Sequence, residues 1–465
     1  MAPLPAPPDR SFPMKRILVA AGLLAFAAAG ALAEPATETS APSSFMLDNG
    51  LQVVVVPDHR APVVTHMVWY KVGAVDEAPG KSGIAHLFEH VMFKETRNIG
   101  PEEFTSIVQR SGGQLNAFTS WDYTAYFERV HKDQLGKMME LEAERMVNLI
   151  INDDPEGPFI SERDVVKEER RQRLDNNPAA LLQEMVLTEF WKGHPYEITV
   201  IGLMDEVNAL TPQDGLDFYR EYYSPENAIL VVAGDVTEEG VRALAEQHYG
   251  PLQPTGEAHD QRKWQPVAPL AETKLITHSD PKVRQPVWSR YYLGTSFNRD
   301  PERALALEVG LEVLGGGLTS RLYQTLVEEQ KVAINVATFA WTTLHDEGPA
   351  VIYGTPVDGV SLEDLDAAVM AEIEKILAEG FTEDEVRRAR NKLAATAIYQ
   401  TDSQSAMANH YGANLALGFT LEEIASYPDE VRAVTPDEAL AAVRAVFGAD
   451  QNYITSHLLP AEGDL

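Results

Sequence analysis

The chain has 465 residues, 45% of them hydrophobic, with a formal net charge of -32 and no cysteine. That length and apolar content suffice for two or more packed domains, while the acidic balance argues against a nucleic-acid partner, because phosphate binding needs clustered Lys and Arg. Without cysteine there is no disulfide, and any metal ligand must be His, Asp or Glu.

The N-terminus reads as a processing segment. Met14-Lys15-Arg16 is a basic start, Ile17 to Gly30 is an apolar run, and Ala31-Leu32-Ala33 is a small-x-small cleavage pattern, which together predict a signal peptide over residues 1–33 and export, with the periplasm the most economical destination. Met14 is an alternative initiator. No later stretch is long and apolar enough to span a bilayer, so no membrane span is expected in the mature chain. Strand patterns follow at Gln52 to Val56 and Val63 to Val72.

The run His86-Leu87-Phe88-Glu89-His90 comes next. At about 100° per residue, His86, Glu89 and His90 fall near 0°, 300° and 40° of a helical wheel, while Ile84, Leu87, Phe88 and Val91 occupy the opposite arc. Two imidazoles one turn apart can hold a zinc ion, and the carboxylate between them can take a proton from water; this His-x-x-Glu-His order is the inverted-zincin signature. A catalytic zinc site usually takes three protein ligands and keeps a position for water, so a third ligand is required.

Gln114 to Thr119 (QLNAFT) reads as a short strand after Gly112-Gly113, and Lys132 to Leu149 as a helix. Ser161 to Leu174 (SERDVVKEERRQRL) contains no Gly or Pro and reads as a helix opened by a Ser161–Asp164 capping box. On its wheel Glu162, Val165, Val166 and Glu169 share the single apolar stripe. A carboxylate on a core-facing stripe is costly unless paired or bound to metal, which favours Glu169 or Glu162 as the third ligand over the solvated Glu168.

HLFEH followed about eighty residues later by ERDVVKEE resembles the pitrilysin and insulinase family of zinc peptidases, and is most similar to its bacterial and mitochondrial processing peptidase branch. GGQLNAFTSWDYTAYF at 112–127, HPY at 194–196 and FYREYYSPENAILVVAGDV from Phe218 to Val236 extend the resemblance over nearly the whole mature chain. The resemblance implies that Glu169 completes a zinc site with His86 and His90, that Glu162 stands behind the ligands, and that Glu89 is the catalytic base. It also implies that Asn116, Ala117 and Phe118 form an edge strand to which a peptide substrate adds. Iron held by two histidines and a carboxylate is the competing metal reading; it leaves Glu89 without a role, and elemental analysis separates the two.

Gln253 to Lys274, with Pro254, Gly256, Pro266 and Pro269, reads as a linker. The expected organisation is a catalytic domain at 34–254, a linker at 255–275 and a homologous non-catalytic domain at 276–465. The fold class is α+β, each domain a mostly antiparallel sheet covered by helices. Thr382 to Leu393 (TEDEVRRARNKL) repeats the pattern of Ser161 to Leu174, again with a capping-box start. Glu169 then corresponds to Arg390, and His86, Glu89 and His90 to Leu307, Gly310 and Leu311, so the second half has no metal site. Leu362 to Ala378 is a further predicted helix.

Active relatives of this type enclose substrate between four such domains and carry an Arg and a Tyr seven apart after the Ser-Arg-Leu run. Here those positions are Val327 and Ile334, while Arg321 and Tyr323 belong to the structural Ser-Arg-Leu segment. The resemblance therefore implies a partner: a homologous subunit forming a heterodimer and supplying the Arg and Tyr, or a homodimer using other donors. A purely structural subunit is the remaining reading, and it predicts a degraded metal site. The other histidines, His66 among them, offer no comparable spacing and are read as structural or solvated.

Overall fold

The computed structural model describes residues 41–154, 156–255, 262 and 265–461. The predicted signal peptide at 1–33 lies outside them, as do residues 256–261, 263 and 264 of the predicted linker.

Six strands form the first sheet: β1 (Ser43–Met46), β2 (Gln52–Pro57), β3 (Val63–Tyr70), β4 (Gln114–Thr119), β5 (Thr124–His131) and β6 (Ala228–Gly234), in the order β1-β2-β6-β3-β5-β4. Five form the second: β7 (Lys274–Asp280), β8 (Val287–Leu293), β9 (Ala333–Ala340), β10 (Pro349–Pro356) and β11 (Tyr453–Pro460), in the order β7-β11-β8-β10-β9. The order β2-β6-β3-β5-β4 recurs as β7-β11-β8-β10-β9, and the one parallel pair falls at the same place in each, β2 with β6 and β7 with β11. The chain is thus two α+β halves of one topology. β7 begins at Lys274, inside the last residues assigned to the linker.

The central strand β6 is an unbroken apolar run because both faces of the sheet are covered: all seven of its residues are buried. On one face of the first sheet lie its own helices, among them Ile84–Val91, Leu135–Asn148 and Pro212–Tyr222. The other face is covered from the second half, whose Gln404–Ala416 helix places Met407, Ala408 and Leu415 on Val54, Met67, Trp69, Ile229 and Val231. The exchange is reciprocal. The Pro178–Phe190 helix of the first half places Leu182, Val186, Leu187 and Phe190 in one cluster with Ile454 and Leu458 of β11 and Ile276 of β7.

A polar clasp joins the same halves. The Tyr196 hydroxyl donates to Asp122 at 2.9 Å and accepts from the Asp346 amide at 3.1 Å, and the His345 amide donates to Asp122 at 3.1 Å. Arg262 donates to Asp76 at 2.9 and 3.1 Å and to Asp122 at 2.6 Å. The WDY and HPY motifs thus meet between the halves, locked by a guanidinium from the linker. Among the described residues no helix is long and apolar enough to cross a membrane.

Gly412 marks a close helix-to-sheet approach, since a Cβ there would lie 2.0 Å from the Trp69 indole nitrogen. Trp69 is fully buried and packed between Phe118 and Tyr123, so it has nowhere to retreat. Gly412→Ala is therefore expected to destabilise by about 1–3 kcal/mol, read as a lower melting temperature of the whole chain; an unchanged melting temperature would contradict the rigidity of this contact.

Candidate active site

The Ile84–Val91 helix starts at Gly83, whose φ of +85° lies in the left-handed region that favours glycine. A Cβ there would also sit 2.7 Å from the Ile201 carbonyl oxygen. Glycine offers no capping side chain, and Glu77 supplies the cap instead: its two carboxylate oxygens accept from the Gly83 and Ala85 amides at 3.0 and 2.9 Å. An acidic group at this end also complements the helix dipole. Ile84, Leu87, Phe88 and Val91 are buried, Phe88 among the rings of Phe218, Tyr219 and Tyr223. His86, Glu89 and His90 are left on the opposite face.

The second contributing helix runs Pro158–Arg170, with Pro158 as its first residue. It begins a turn before Ser161, so the expected Ser161–Asp164 capping box does not form. Ser161 Oγ donates back to the Pro158 carbonyl at 3.0 Å, and Asp164 pairs with Lys167 at 3.0 Å. The apolar stripe is also narrower than expected. Val166 is fully buried, whereas Val165, about 100° away around the wheel, is 47% exposed. Glu168 is exposed and pairs with Arg171.

Crossing of the two helices brings three side chains together. Glu169 Oε2 lies 3.3 Å from His90 Nε2 and 3.7 Å from His86 Nε2, and one ligand atom from each of the three residues lies within 4.8 Å of the others. Glu162 faces the other nitrogen of His90, Nδ1, at 3.2 Å, while Lys94 holds the second Glu162 oxygen at 2.7 Å. Glu89 sits beside the group, its Oε2 4.0 Å from His86 Nε2 and accepting from the Thr119 hydroxyl at 2.9 Å. A π-helical turn, Arg171–Asp175, continues the second helix and brings Arg173 to the free oxygen of Glu169 at 2.7 Å.

The donor set fits zinc: two imidazole Nε2 atoms and one carboxylate oxygen converge, and the ring orientation of His90 is fixed from behind by a carboxylate, the usual support of a metal-bound histidine. A contrasting cluster, His66 with Glu128 and Glu142, is fully buried. There the Arg145 guanidinium, bonded to Glu142, already provides the cation, and His66 bonds Glu128 and Tyr249 at 3.0 Å each.

Among the described residues β4 pairs only with β5 and so forms an edge of the first sheet. Asn116 is exposed, Ala117 is buried in the core that contains the Ile84–Val91 helix, and the Phe118 ring lies against Trp69 and Tyr123 on the opposite face. Leu307, Gly310 and Leu311 lie in the Pro301–Gly315 helix and are buried. A Cβ on Gly310 would meet Val443 Cγ2 at 2.4 Å, so the Pro436–Phe447 helix fills the space corresponding to the site. Arg390 donates to the Val434 carbonyl at 2.9 Å. Arg321 is held by Glu385 at 2.7 and 2.9 Å, Val327 packs on the second core and Ile334 is exposed.

Thr119, Lys94, Arg173 and Glu77 were not singled out from the sequence. Thr119 lay within the recognised QLNAFT strand and could have been flagged as its hydroxyl-bearing end. The other three carry no local signal, because each acts on a partner reached only by folding.

Burial pushes His86 down to about 4. His90 is opposed by burial too, but Glu162 and Glu169 outweigh it and hold the ring up at about 9. Burial raises Glu89, with Thr119 pulling the other way. The hydrogen bond with His90 lowers Glu169. Because the folded value of His90 lies above the 6.5 of an ordinary histidine, the stabilisation from its charged form is complete below 6.5 and is lost as pH rises to about 9. A metal needs the neutral ring. Zinc uptake by metal-free protein at pH 7 is therefore expected to release about one proton, from His90 and not from the already neutral His86. Calorimetry in buffers of different ionisation enthalpy measures this, and a heat independent of buffer would contradict it.

Residues 52–203 match the family model described as Insulinase (Peptidase family M16), and residues 209–393 match that of the Peptidase M16 inactive domain. The zinc protease PqqE of Helicobacter pylori is 35% identical over 368 residues, spanning 78% of this chain and 81% of that protein. An uncharacterized zinc protease of Mycobacterium bovis is 31% identical over 423 residues, 86% of this chain and 91% of its own length. The crystal structure of a protease from Helicobacter pylori superposes with a TM-score of 0.82 at 31% identity, covering 91% of this chain and 100% of that one. The periplasmic protease PqqL of Escherichia coli shares the fold, with a TM-score of 0.76 at 19% identity over 92% of this chain and 48% of its own. With family models matching both halves and a relative above 30% identity along most of its length, the chain belongs to the insulinase family of zinc peptidases, peptidase family M16.

Proposed function

We propose that this protein is a zinc-dependent endopeptidase, with His86, His90 and Glu169 as metal ligands, Glu89 as general base and Glu162 as the group that orients His90. The observation that carries the reading is the approach of Glu169, from a separate helix, to within 3.3 and 3.7 Å of the two Nε2 atoms. Zinc bound there supplies Lewis acidity, lowering the pKa of a water toward neutrality and polarising a carbonyl. Glu89 accepts the water proton as the peptide carbonyl is attacked and passes it to the departing amine. An extended peptide pairs with the edge strand at Asn116, Ala117 and Phe118. Since the Phe118 ring is engaged with Trp69, this strand offers substrate its backbone more than its side chains.

The match to an inactive domain, residues 209–393, includes Leu307, Gly310 and Leu311 and begins well after the histidine helix, so it does not bear on that helix. We read 34–254 as the catalytic domain, 276–465 as its non-catalytic homologue, and residues 1–33 as a signal peptide directing the chain to the periplasm. Neither Val327 nor Ile334 can donate a hydrogen bond, and losing one oxyanion donor costs roughly 3 kcal/mol of transition-state stabilisation. A homologous partner carrying Arg and Tyr at those positions would restore it; a homodimer using other donors is the simpler assembly.

Glu89→Gln is expected to retain zinc and lose at least about a hundredfold in turnover, whereas His86→Ala is expected to lose zinc itself; full peptidase activity in Glu89→Gln would remove Glu89 as the base. Peptide cleavage by this chain alone, and mixed with a homologue lacking the histidine helix, tests the assembly. Little activity alone and gain on mixing are expected, and full activity alone would end the heterodimer reading.

A further inference from the structure

We propose that Thr119 is a positioning residue for the reaction: its hydroxyl locks the Glu89 carboxylate to the end of the strand on which the substrate lies, so that base and peptide are registered by one stretch of backbone. The proposal rests on the reading of Glu89 as the base and of β4 as the substrate strand.

The geometry begins with the alternation of β4. Ala117 faces the core beneath the histidine helix and Phe118 faces Trp69 on the other side, so Thr119, two residues beyond Ala117, returns to the helix side. There its hydroxyl donates to Glu89 Oε2 at 2.9 Å. Its own position is tightly held. Thr119 pairs with Thr124 across the hairpin, and the Ser120 amide closes the turn on the Tyr123 carbonyl at 2.8 Å. Ser120 and Trp121 then accept from the amides of Ala74 and Val75 at 3.1 and 3.0 Å. A Cβ on Gly73 would lie 2.3 Å from the Trp121 carbonyl oxygen, so the two loops are in direct backbone contact.

Glu89, by contrast, is a long side chain whose Oε2 is only 4.0 Å from His86 Nε2. Left to its own torsions it could turn toward the imidazoles and compete with water as a ligand. Binding Oε2 to a hydroxyl of fixed position restrains that rotation and holds the carboxylate beside the imidazoles, where it can take a proton from the water. Placement within about half an ångström is what such constellations need, and a threonine anchored by strand and turn is stiffer at χ1 than most polar residues.

Thr119→Val keeps the shape and removes the donor; Thr119→Ser keeps the donor. In the full-length, zinc-loaded protein, with a partner chain present if activity requires one, Thr119→Val is expected to lower kcat about 10–100-fold with KM changed by less than about twofold, while Thr119→Ser recovers most of kcat. Zinc content is expected to be unchanged in both. A readout independent of turnover is melting: Thr119→Val should lower the melting temperature of the loaded protein in the native background and do so less when Glu89 is already Ala, because the shared hydrogen bond is then gone. Undiminished kcat in Thr119→Val, equal loss in both variants, or the same melting shift with and without Glu89 would each overturn the proposal. A Glu89→Gln protein that stays fully active would instead overturn the underlying reading of the base.

Discussion

Two imidazoles on a short helix need a third donor before they can hold a cation, and here one crossing of helices both brings a carboxylate to them and fixes the ring of His90. Glu169 and Glu162 lie seven residues apart on the Pro158–Arg170 helix, two turns along the same face, so a single docking event sets Glu169 against both Nε2 atoms and Glu162 behind His90. Lys94 and Arg173 then take up the outer oxygens of the two carboxylates. The acidic charge gathered around the histidines is thereby balanced at its rim, with the inner oxygen of Glu169 facing the two Nε2 atoms and that of Glu162 on His90 Nδ1.

The rest of the fold works to keep that crossing in place. Glu77 closes the start of the histidine helix where Gly83 cannot, and the neighbouring Asp76 is gripped by Arg262 together with Asp122. The segment ahead of the site is thus tied to the linker and, through Asp122 and Tyr196, to the second half. The reciprocal covering of each sheet by a helix from the other half buries the second face of its central strands. The second half is therefore a structural necessity for the first, since without it Val54, Trp69 and Val231 would be exposed.

The two halves keep one fold with different helix packing. The strand order and the single parallel pair are retained, but the helix equivalent to His86–His90 has become a core element, with Gly310 admitting Val443 where a polar side chain would otherwise project. Once that space is filled by the Pro436–Phe447 helix, restoring a metal site would require removing core volume as well as changing ligands.

What the sequence determined by itself is what depends on short-range periodicity. The amphipathic histidine helix, the strands predicted at 52–56, 63–72 and 114–119 and found at 52–57, 63–70 and 114–119, the Thr382 capping box and the candidacy of Glu162 and Glu169 all follow from residues within a few turns of one another. The end of the Pro158–Arg170 helix was misjudged because Pro158 can open a helix without a side-chain cap, and Val165 was placed inward because a wheel cannot tell how wide the buried strip will be. Thr119 on Glu89, Arg173 on Glu169, Lys94 on Glu162, Glu77 at Gly83 and the exchange of helices between halves were decided by the tertiary structure alone. Each joins groups whose meeting depends on how helices and sheets dock, and docking is governed by shape and volume summed over many residues, which no local pattern records.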